Sequence, residues 1–336
     1  MAQTPQIDVL LPCYNAGPRL EEAIGSIVDQ TWRDWRLLLL DDGSNDGSWA
    51  VMQQWMQRDV RIVAHRFAHR GLVATLNDGL ALAQAPFIAR MDADDWSYSQ
   101  RFEAQLQAFN RHPDWDVCAT SIAHGGGPSP GLEHYISWTN SLQTPTALRL
   151  AQFIESPIIH PSVMFRRACI QTAGAYRAGP FPEDYELWLR WLRAGLVFGK
   201  TDSVLLRWND HDSRLTRTDS RYGREAFYQI KSEYLHEWLK QQVQKPIWVW
   251  GAGRKTRQRV GYLQNLGTQI QAWIDIDPHK IGQSYSGIPV VAPDSIPAPD
   301  AVFVLGYVGN RGARTEIDAF LRLRAFEVGR DFLFAA

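Results

Sequence analysis

Between Ile7 and Arg90, short apolar runs alternate with longer stretches in which apolar residues recur every three or four positions. IDVLLP (7–12) is almost wholly apolar and is followed by turn residues, as a strand buried on both faces would be. In PRLEEAIGSIVDQ the residues Leu20, Ala23, Ile24, Ile27 and Val28 fall at helical spacing. WRLLLL predicts a second strand, stopped by Asp41, Asp42 and a Gly/Ser/Asn turn. SWAVMQQWMQR then predicts a helix, RIVAHR a strand, GLVATLNDGLALAQ a helix and PFIAR another strand. Alternation at this pace predicts βαβ units, a parallel sheet and right-handed crossovers. In such sheets a ligand crevice lies beyond the carboxyl ends of the strands. Three of those ends are polar: Tyr14 with Asn15, Asp41 with Asp42, and Asp92 to Asp95.

The pattern degrades from about Ser121 to Pro161, where HGGGPSPG is turn-rich and a weakly helical stretch follows. SPIIHPSVMFRR then predicts a strand leading into ACIQTAG, PFPEDYELWLRWLRAG a loop passing into a helix, and VFGKTDSVLLRW another strand. After the polar NDHDSRLTRTDSRYGR a long helical run ends near Gln244. At Lys245 the chain starts again, with a strand, a glycine-rich turn and a helix in KPIWVWGAGRKTR. QIQAWIDIDP, PVVAP and AVFVLGY predict further strands, and RTEIDAFLRLRAF a helix. Two α/β domains are therefore expected, at 1–244 and 245–336, with no internal repeat.

Composition narrows the function classes. A chain of 336 residues with 45% hydrophobic and 21% charged residues is globular and longer than most single domains. A formal net charge of −1 gives no general attraction to nucleic acid or anionic membrane, although the arginines of 214–224 form a local cluster. Three cysteines, Cys13, Cys118 and Cys169, lack the spacing of a zinc knuckle or a disulfide framework and fit a reducing cytoplasm. The N-terminus shows no signal pattern, and no apolar run approaches the ~20 residues needed to cross a bilayer. A cytoplasmic protein is expected. Most of the fourteen tryptophans belong to core or rim packing, although such rings also stack on sugars.

The run RMDADD holds the densest chemistry. Asp92, Asp94 and Asp95 repel one another unless a cation or a shared proton compensates. Such a cluster at a strand end suits a hard divalent ion, which in turn can hold a diphosphate. Alternatively Asp95 begins the helix of WSYSQRFEAQLQAF as its cap.

Taken in order, VLLPCYNAGPRLEEAIGSIVDQTW, LLLLDDGSNDGS, HRGLVATLNDGLALAQAPFIARMDADD, HPSVMFRR and FPEDYELWLRW resemble the family 2 glycosyltransferases across roughly residues 6–215. The resemblance implies a GT-A (nucleotide-diphospho-sugar transferase) fold, with a mixed, mainly parallel sheet flanked by helices. The rest of the chain would form a small C-terminal Rossmann-like α/β domain. Pro12, Tyr14 and Asn15 would line the nucleobase pocket, and Asp41 or Asp42 would accept a hydrogen bond from base or ribose. Arg70 would contact the base or the donor phosphates, while Asn77 is equally well a polar helix-surface residue. Asp92, Ala93 and Asp94 match the DxD motif, which meets the sugar or ribose and a Mg2+ or Mn2+ ion. His211 would reach the metal or the diphosphate, and Asp95 could replace either motif carboxylate. Asp184 matches the general base of inverting members, with the helix-capping role open beside it. Asp95, His160, Glu183 and Trp188 would stand near the acceptor, with a structural role the alternative for His160 and core packing the favoured reading of Trp188 and Trp191.

The implied activity is hexosyltransferase-like: metal-dependent, inverting transfer from a nucleoside-diphosphate sugar to a hydroxyl of a glycan or glycolipid, in bacterial surface-polysaccharide assembly. A lipid-linked acceptor would bring peripheral association with the inner face of the membrane; no nucleic acid partner is implied. Two competing readings are a sugar-1-phosphate nucleotidyltransferase and a nucleotide-binding protein acting through the C-terminal domain. In that domain Gly251 and Gly253 suit a backbone turn that lets amides approach a phosphate at a helix N-terminus. Asp275 or Asp277 lies near the spacing of a ribose contact. Thr256 stands where the third glycine of the fingerprint would be, so a plain strand-to-helix turn is the alternative.

Overall fold

A computed structural model describes residues 4–212, 214–310 and 312–336, and every absence noted below is among those residues. The chain divides into two units, Met1–Arg149 with Pro157–Tyr222 and Leu150–Ser156 with Gly223–Ala336. The division thus falls at Gly223, whereas the sequence pattern put it at Lys245. The long helix between them packs on the following helix, and its Trp238 ring lies 6.0 Å from Phe303.

In the first unit β1 (Ile7–Cys13), β2 (Trp35–Asp41), β3 (Ile62–Arg66) and β4 (Phe87–Arg90) alternate with α1 (Arg19–Val28), α2 (Ser48–Arg58) and α3 (Leu72–Leu82). Then come β5 (Trp96–Ser97), α4 (Arg101–Arg111), β6 (Val117–Gly125), α5 (Pro130–Ser141) and α6 (Pro145–Ala151). β7 (Met164–Arg166), α7 (Ala168–Ala173), α8 (Glu183–Arg193), β8 (Phe198–Asn209) and α9 (Leu215–Thr218) follow. The sheet order is β3-β2-β1-β4-β7-β6-β8-β5. The first four strands are parallel, β7 runs against both its neighbours, β6 and β8 are parallel, and β5 is antiparallel to β8.

Side chains of a strand alternate between the faces of its sheet, and here both faces are covered. Val9, Leu11, Leu37 and Leu39 enter one core with α1 and α4. Leu10, Leu38 and Leu40 enter the other with α3 and α8. The register pairs Cys13 with Asp41, and Leu10 with Arg90, so the polar residues after β1, β2 and β4 emerge at one edge.

Trp188 does not stand at an acceptor site. It is fully buried in the second core, edge-on to Trp191 at 5.6 Å and to Phe198 at 5.7 Å. Its indole N–H has no acceptor among the described residues. Trp188→Ala is therefore expected to cost about 3–5 kcal/mol in urea unfolding, by lost burial and the cavity left behind. Trp188→Phe should cost far less. Equal losses from the two changes would count against a packing role.

In the second unit α10 (Arg224–Gln242) precedes β9 (Ile247–Trp250), α11 (Arg254–Asn265) and β10 (Ile270–Ile274). β11 (Ser284–Tyr285), β12 (Ile288–Val291), β13 (Phe303–Gly306), α12 (Ala313–Leu323) and β14 (Phe332–Phe334) complete a Rossmann-like unit. Its sheet order is β11-β12-β10-β9-β13-β14, parallel except for β11. No described helix of the chain is long and apolar enough to cross a membrane. The segment read for a signal pattern includes Met1–Gln3, which lie outside the described residues.

Candidate active site

A cleft of about 600 Å³ opens at the carboxyl edge of the first unit's parallel strands. The loop after β1 is stitched to the loop after β2. Ser44 Oγ accepts the Asn15 N–H at 2.9 Å, and the Asn15 side-chain oxygen accepts the Asn45 N–H at 2.9 Å. Asn15 takes a positive φ of 51° here, which short polar side chains tolerate. Pro12, Tyr14 and Asn15 all line the cleft. Tyr14 is half exposed and stacks on the His69 ring, with centroids 4.1 Å apart.

The two aspartates after β2 separate in role. Asp42 lines the cleft and accepts the N–H groups of Arg70 at 2.8 Å and Gly71 at 2.9 Å, with His69 Nδ1 also 2.9 Å away. It therefore fixes the turn that presents His69. Asp41 is buried, accepts the Ser44 N–H at 3.0 Å and pairs with Arg66 at 3.1 Å; it does not line the cleft. Arg70 also departs from its expected place, because its guanidinium pairs with Asp78. Asn77 holds both backbone groups of Tyr176, at 3.0 and 3.1 Å, and is structural.

Asp92, Asp94 and Asp95 each offer a carboxylate oxygen, all within 4.8 Å of one another. The buried Arg90 holds Asp92 at 2.5 Å, and His211 Nε2 lies 2.7 Å from the Asp94 carboxylate. Asp95 accepts the Asn209 N–H at 2.8 Å through one oxygen, while its other oxygen is buried without a partner. Burial, then the charges of Asp92 and Asp94, push the Asp95 carboxyl well above the usual range. An orphaned buried carboxylate oxygen beside two further carboxylates fits a hard divalent cation with oxygen ligands. Asp95 is buried and does not line the cleft, so the acceptor role is not its own.

α8 begins at Glu183, directly after Pro182. Asp184 is partly exposed, and one of its oxygens accepts the Tyr185 N–H at 2.7 Å. Burial first, then the charge of Glu183, raises its carboxyl to about 7, and Asp92 adds to the shift. Glu183 is buried and accepts the Tyr222 O–H at 2.6 Å. It faces this tyrosine and not open acceptor space. Its own carboxyl is raised by burial and held down by the Tyr222 hydrogen bond. His160 is likewise internal: Nε2 meets the Tyr176 hydroxyl at 2.7 Å, and burial, then Arg90, keeps the ring neutral.

The segment after β8 brings further groups to the cleft. Arg214 lies over the Trp208 ring at 4.1 Å, and Arg221 is held by Asp219 at 2.7 Å; both line the cleft with His211. Sequence reasoning noted these arginines only as a local basic cluster, and it passed over His69, Arg90 and Tyr222. His69 stood in the quoted HRGLV run, three places before a helix start, which was the available signal.

In the second unit Gly251 takes φ +114° and Gly253 immediately precedes α11. Asp275 has one oxygen on the Ala252 N–H at 2.9 Å and on Lys280 at 3.1 Å, and the other on the Asp277 N–H at 3.0 Å. Both its oxygens hold the turn, so the ribose contact expected of it is displaced.

Residues 8–173 match the sequence family described as Glycosyl transferase family 2. Over 236 residues the chain is 27% identical to EpsE of Bacillus subtilis, named as a glycosyltransferase, covering 66% of this chain and 80% of that one. Over 204 residues it is 26% identical to the amylovoran biosynthesis glycosyltransferase AmsE of Erwinia amylovora, covering 59% and 74%. The fold is similar to that of S. aureus TarS 1–349 in complex with UDP-GlcNAc, with TM-score 0.55, 13% identity, and coverage of 77% and 80%. Against the longer TarS chain the TM-score is 0.51 at 14% identity, and the match spans 43% of that chain. The likeness shows a GT-A architecture.

Proposed function

We propose that this chain, whose residues 8–173 match the family 2 glycosyltransferases, moves a sugar from a nucleoside-diphosphate donor to an acceptor hydroxyl, with inversion and with a divalent cation bound. One observation carries this reading: an acidic cluster on the cleft stands within electrostatic reach of a carboxyl tuned to about 7. Relatives named for polysaccharide biosynthesis support a glycan or glycolipid acceptor.

The donor base would sit by Tyr14, His69 and Asp42, whose ring faces and backbone-fixed turn offer stacking and hydrogen bonds. Arg214 and Arg221 would meet the diphosphate as charge-assisted donors. Asp92, Asp94, Asp95 and His211 would hold Mg2+ or Mn2+. When bound, such an ion neutralises charge gathering on the departing diphosphate. Asp184 would take the acceptor hydroxyl proton as the oxygen bonds to the anomeric carbon. The bond from that carbon to the diphosphate oxygen breaks, its electron pair leaves with the nucleoside diphosphate, and Asp184 then releases its proton to water.

The test is thermal stability with UDP-, GDP- and dTDP-sugars and with NAD, each with and without Mn2+. One nucleotide sugar should raise Tm only when Mn2+ is present, by the linkage of binding to folding. Stabilisation by NAD alone would overturn the reading, as would release of pyrophosphate from a nucleoside triphosphate and a sugar-1-phosphate.

Tyr222 gives a finer check. Its O–H favours the ionised form of Glu183, and that charge raises Asp184. Tyr222→Phe should let Glu183 take up a proton more readily and so relieve Asp184. The midpoint of the kcat–pH profile should then move to lower pH, by about 0.5–1 unit. A midpoint that stays put, or moves up, would count against the coupling.

A further inference from the structure

The second unit has a cleft of its own, about 1060 Å³ in volume. From β9 the chain moves to β10 and β12 on one side of the sheet, then to β13 and β14 on the other. A parallel sheet opens a crevice at such a reversal, beyond the carboxyl ends of its strands. The cleft lies at that point: Gly251 and Gly253 follow β9, Ile276 follows β10, and Val308 with Gly309 follows β13.

Two features of this cleft bear on what it could hold. The first is electrostatic. Arg254 and Lys255 occupy the first turn of α11, and that turn holds no acidic residue. The N-terminal end of a helix carries partial positive charge, so cations there are unfavourable and anions favourable. Arg224 and Arg259 line the same cleft. Arg259 lies over the Tyr228 ring at 4.2 Å and Arg224 acts on Glu155, whereas Arg254 and Lys255 are exposed and form no ion pair among the described residues. Lys280, by contrast, is neutralised by Asp275 at 3.1 Å and Asp277 at 3.3 Å. Breaking a local rule in this way is a mark of functional sites.

The second feature is an apolar wall at the rim of the unit's core. Trp250 and Phe320 meet edge-on at 5.4 Å, and Ile317 and Val308 continue the wall. Ile276 lies at the cleft 74% exposed, apolar surface left in water. Gly251 brings the backbone close to this wall: a Cβ there would meet Val308 at 3.0 Å, at a φ that other residues rarely adopt. Asp294 and Glu316 stand on the lining as acceptors for hydroxyl groups.

An anionic end, an apolar face and hydroxyl donors together describe a nucleotide. We infer that this cleft is a second nucleotide site, separate from the donor cleft of the first unit. It takes the diphosphate of a nucleoside diphosphate against Arg254, Lys255 and the first turn of α11, and the base against Trp250 and Phe320. The site does not depend on the transferase reading, because it is built wholly from residues of the second unit.

The test uses the full chain carrying Asp94→Ala, in EDTA, so that metal-assisted binding in the first cleft is suppressed. UDP, GDP, dTDP, ADP and inorganic pyrophosphate are titrated separately by calorimetry. One nucleoside diphosphate should bind at one site per chain, and adding Arg254→Ala with Lys255→Ala should weaken it at least tenfold. In the otherwise wild-type chain the same double change should leave transferase activity intact. Its ligand-free Tm should not fall, since it removes two cations from a helix N-terminus. The site is overturned if no nucleoside diphosphate binds below millimolar concentration, or if the double change leaves the affinity unaltered. It is overturned equally if pyrophosphate binds as tightly as every nucleotide, which would mark a bare anion patch.

Discussion

Asp184→Asn should lower kcat by about 10²–10⁴-fold, the usual contribution of a positioned general base. Donor affinity should stay within about threefold of wild type, because such a loss removes a transition-state interaction alone. The substitution is nearly isosteric, and its side-chain oxygen can still accept the Tyr185 N–H that Asp184 accepts at 2.7 Å. The helix start is thus preserved while the proton acceptor is lost. In the wild-type enzyme the sign of the pH dependence follows from the same group. Burial and Glu183 raise its carboxyl to about 7, and only the ionised form takes a proton. The rate should therefore climb as pH rises through about 7 and fall by tenfold per unit well below it. Asp184→Asn should abolish this limb. A variant that keeps near-wild-type turnover would remove Asp184 from the chemistry and leave it as an acidic residue of the first turn of α8.

How much of this was legible in the sequence depended on how local each cause is. IDVLLP and WRLLLL announced themselves because both faces of those strands are buried, which demands an unbroken apolar run. β6 did not, although it pairs with β8 along its length. VCATSIAHG carries Thr120 and Ser121 inside the sheet, where Ser121 Oγ donates to the Thr201 carbonyl at 3.3 Å. Polarity satisfied by a partner distant in sequence cannot be told from polarity facing water. The same limit governed the site. The acidic run at Asp92 and the carboxylate at Asp184 are marked by neighbours in the chain. Tyr222 reaches Glu183 across 39 residues, and Asp41 and Asp42 differ only in what their side chains meet after folding. Trp188 was considered for the acceptor site because it follows the proposed base on the same helix. That helix is buried nearly all round, down to an internal Glu186–Arg190 pair at 2.9 Å.

The other large effect concerns the acidic cluster. Asp94→Ala is expected to lower kcat/KM by about 10³-fold, equivalent to the several kcal/mol that a bound cation gives to a developing phosphate charge. Chelation of the wild-type enzyme should do the same, and Mn2+ should restore the wild type but not the variant. The physical reason lies in the shape of the cluster. Three carboxylates sit within 4.8 Å, and among the described residues Asp92 alone is ion-paired with an arginine, the buried Arg90. Asp95 is left with an unpartnered oxygen and a carboxyl pushed up by its neighbours. The assembly is thus short of positive charge at the place where the diphosphate would arrive. Of the three, Asp94 both lines the cleft and meets His211 at 2.7 Å, so its loss removes an oxygen ligand and frees the histidine together. His211→Ala should be milder, since the carboxylates remain. A double change no worse than Asp94→Ala alone would place the two in one unit. Full activity in EDTA after exhaustive dialysis would rule out a metal-dependent reaction and leave Arg214 and Arg221 to balance the diphosphate.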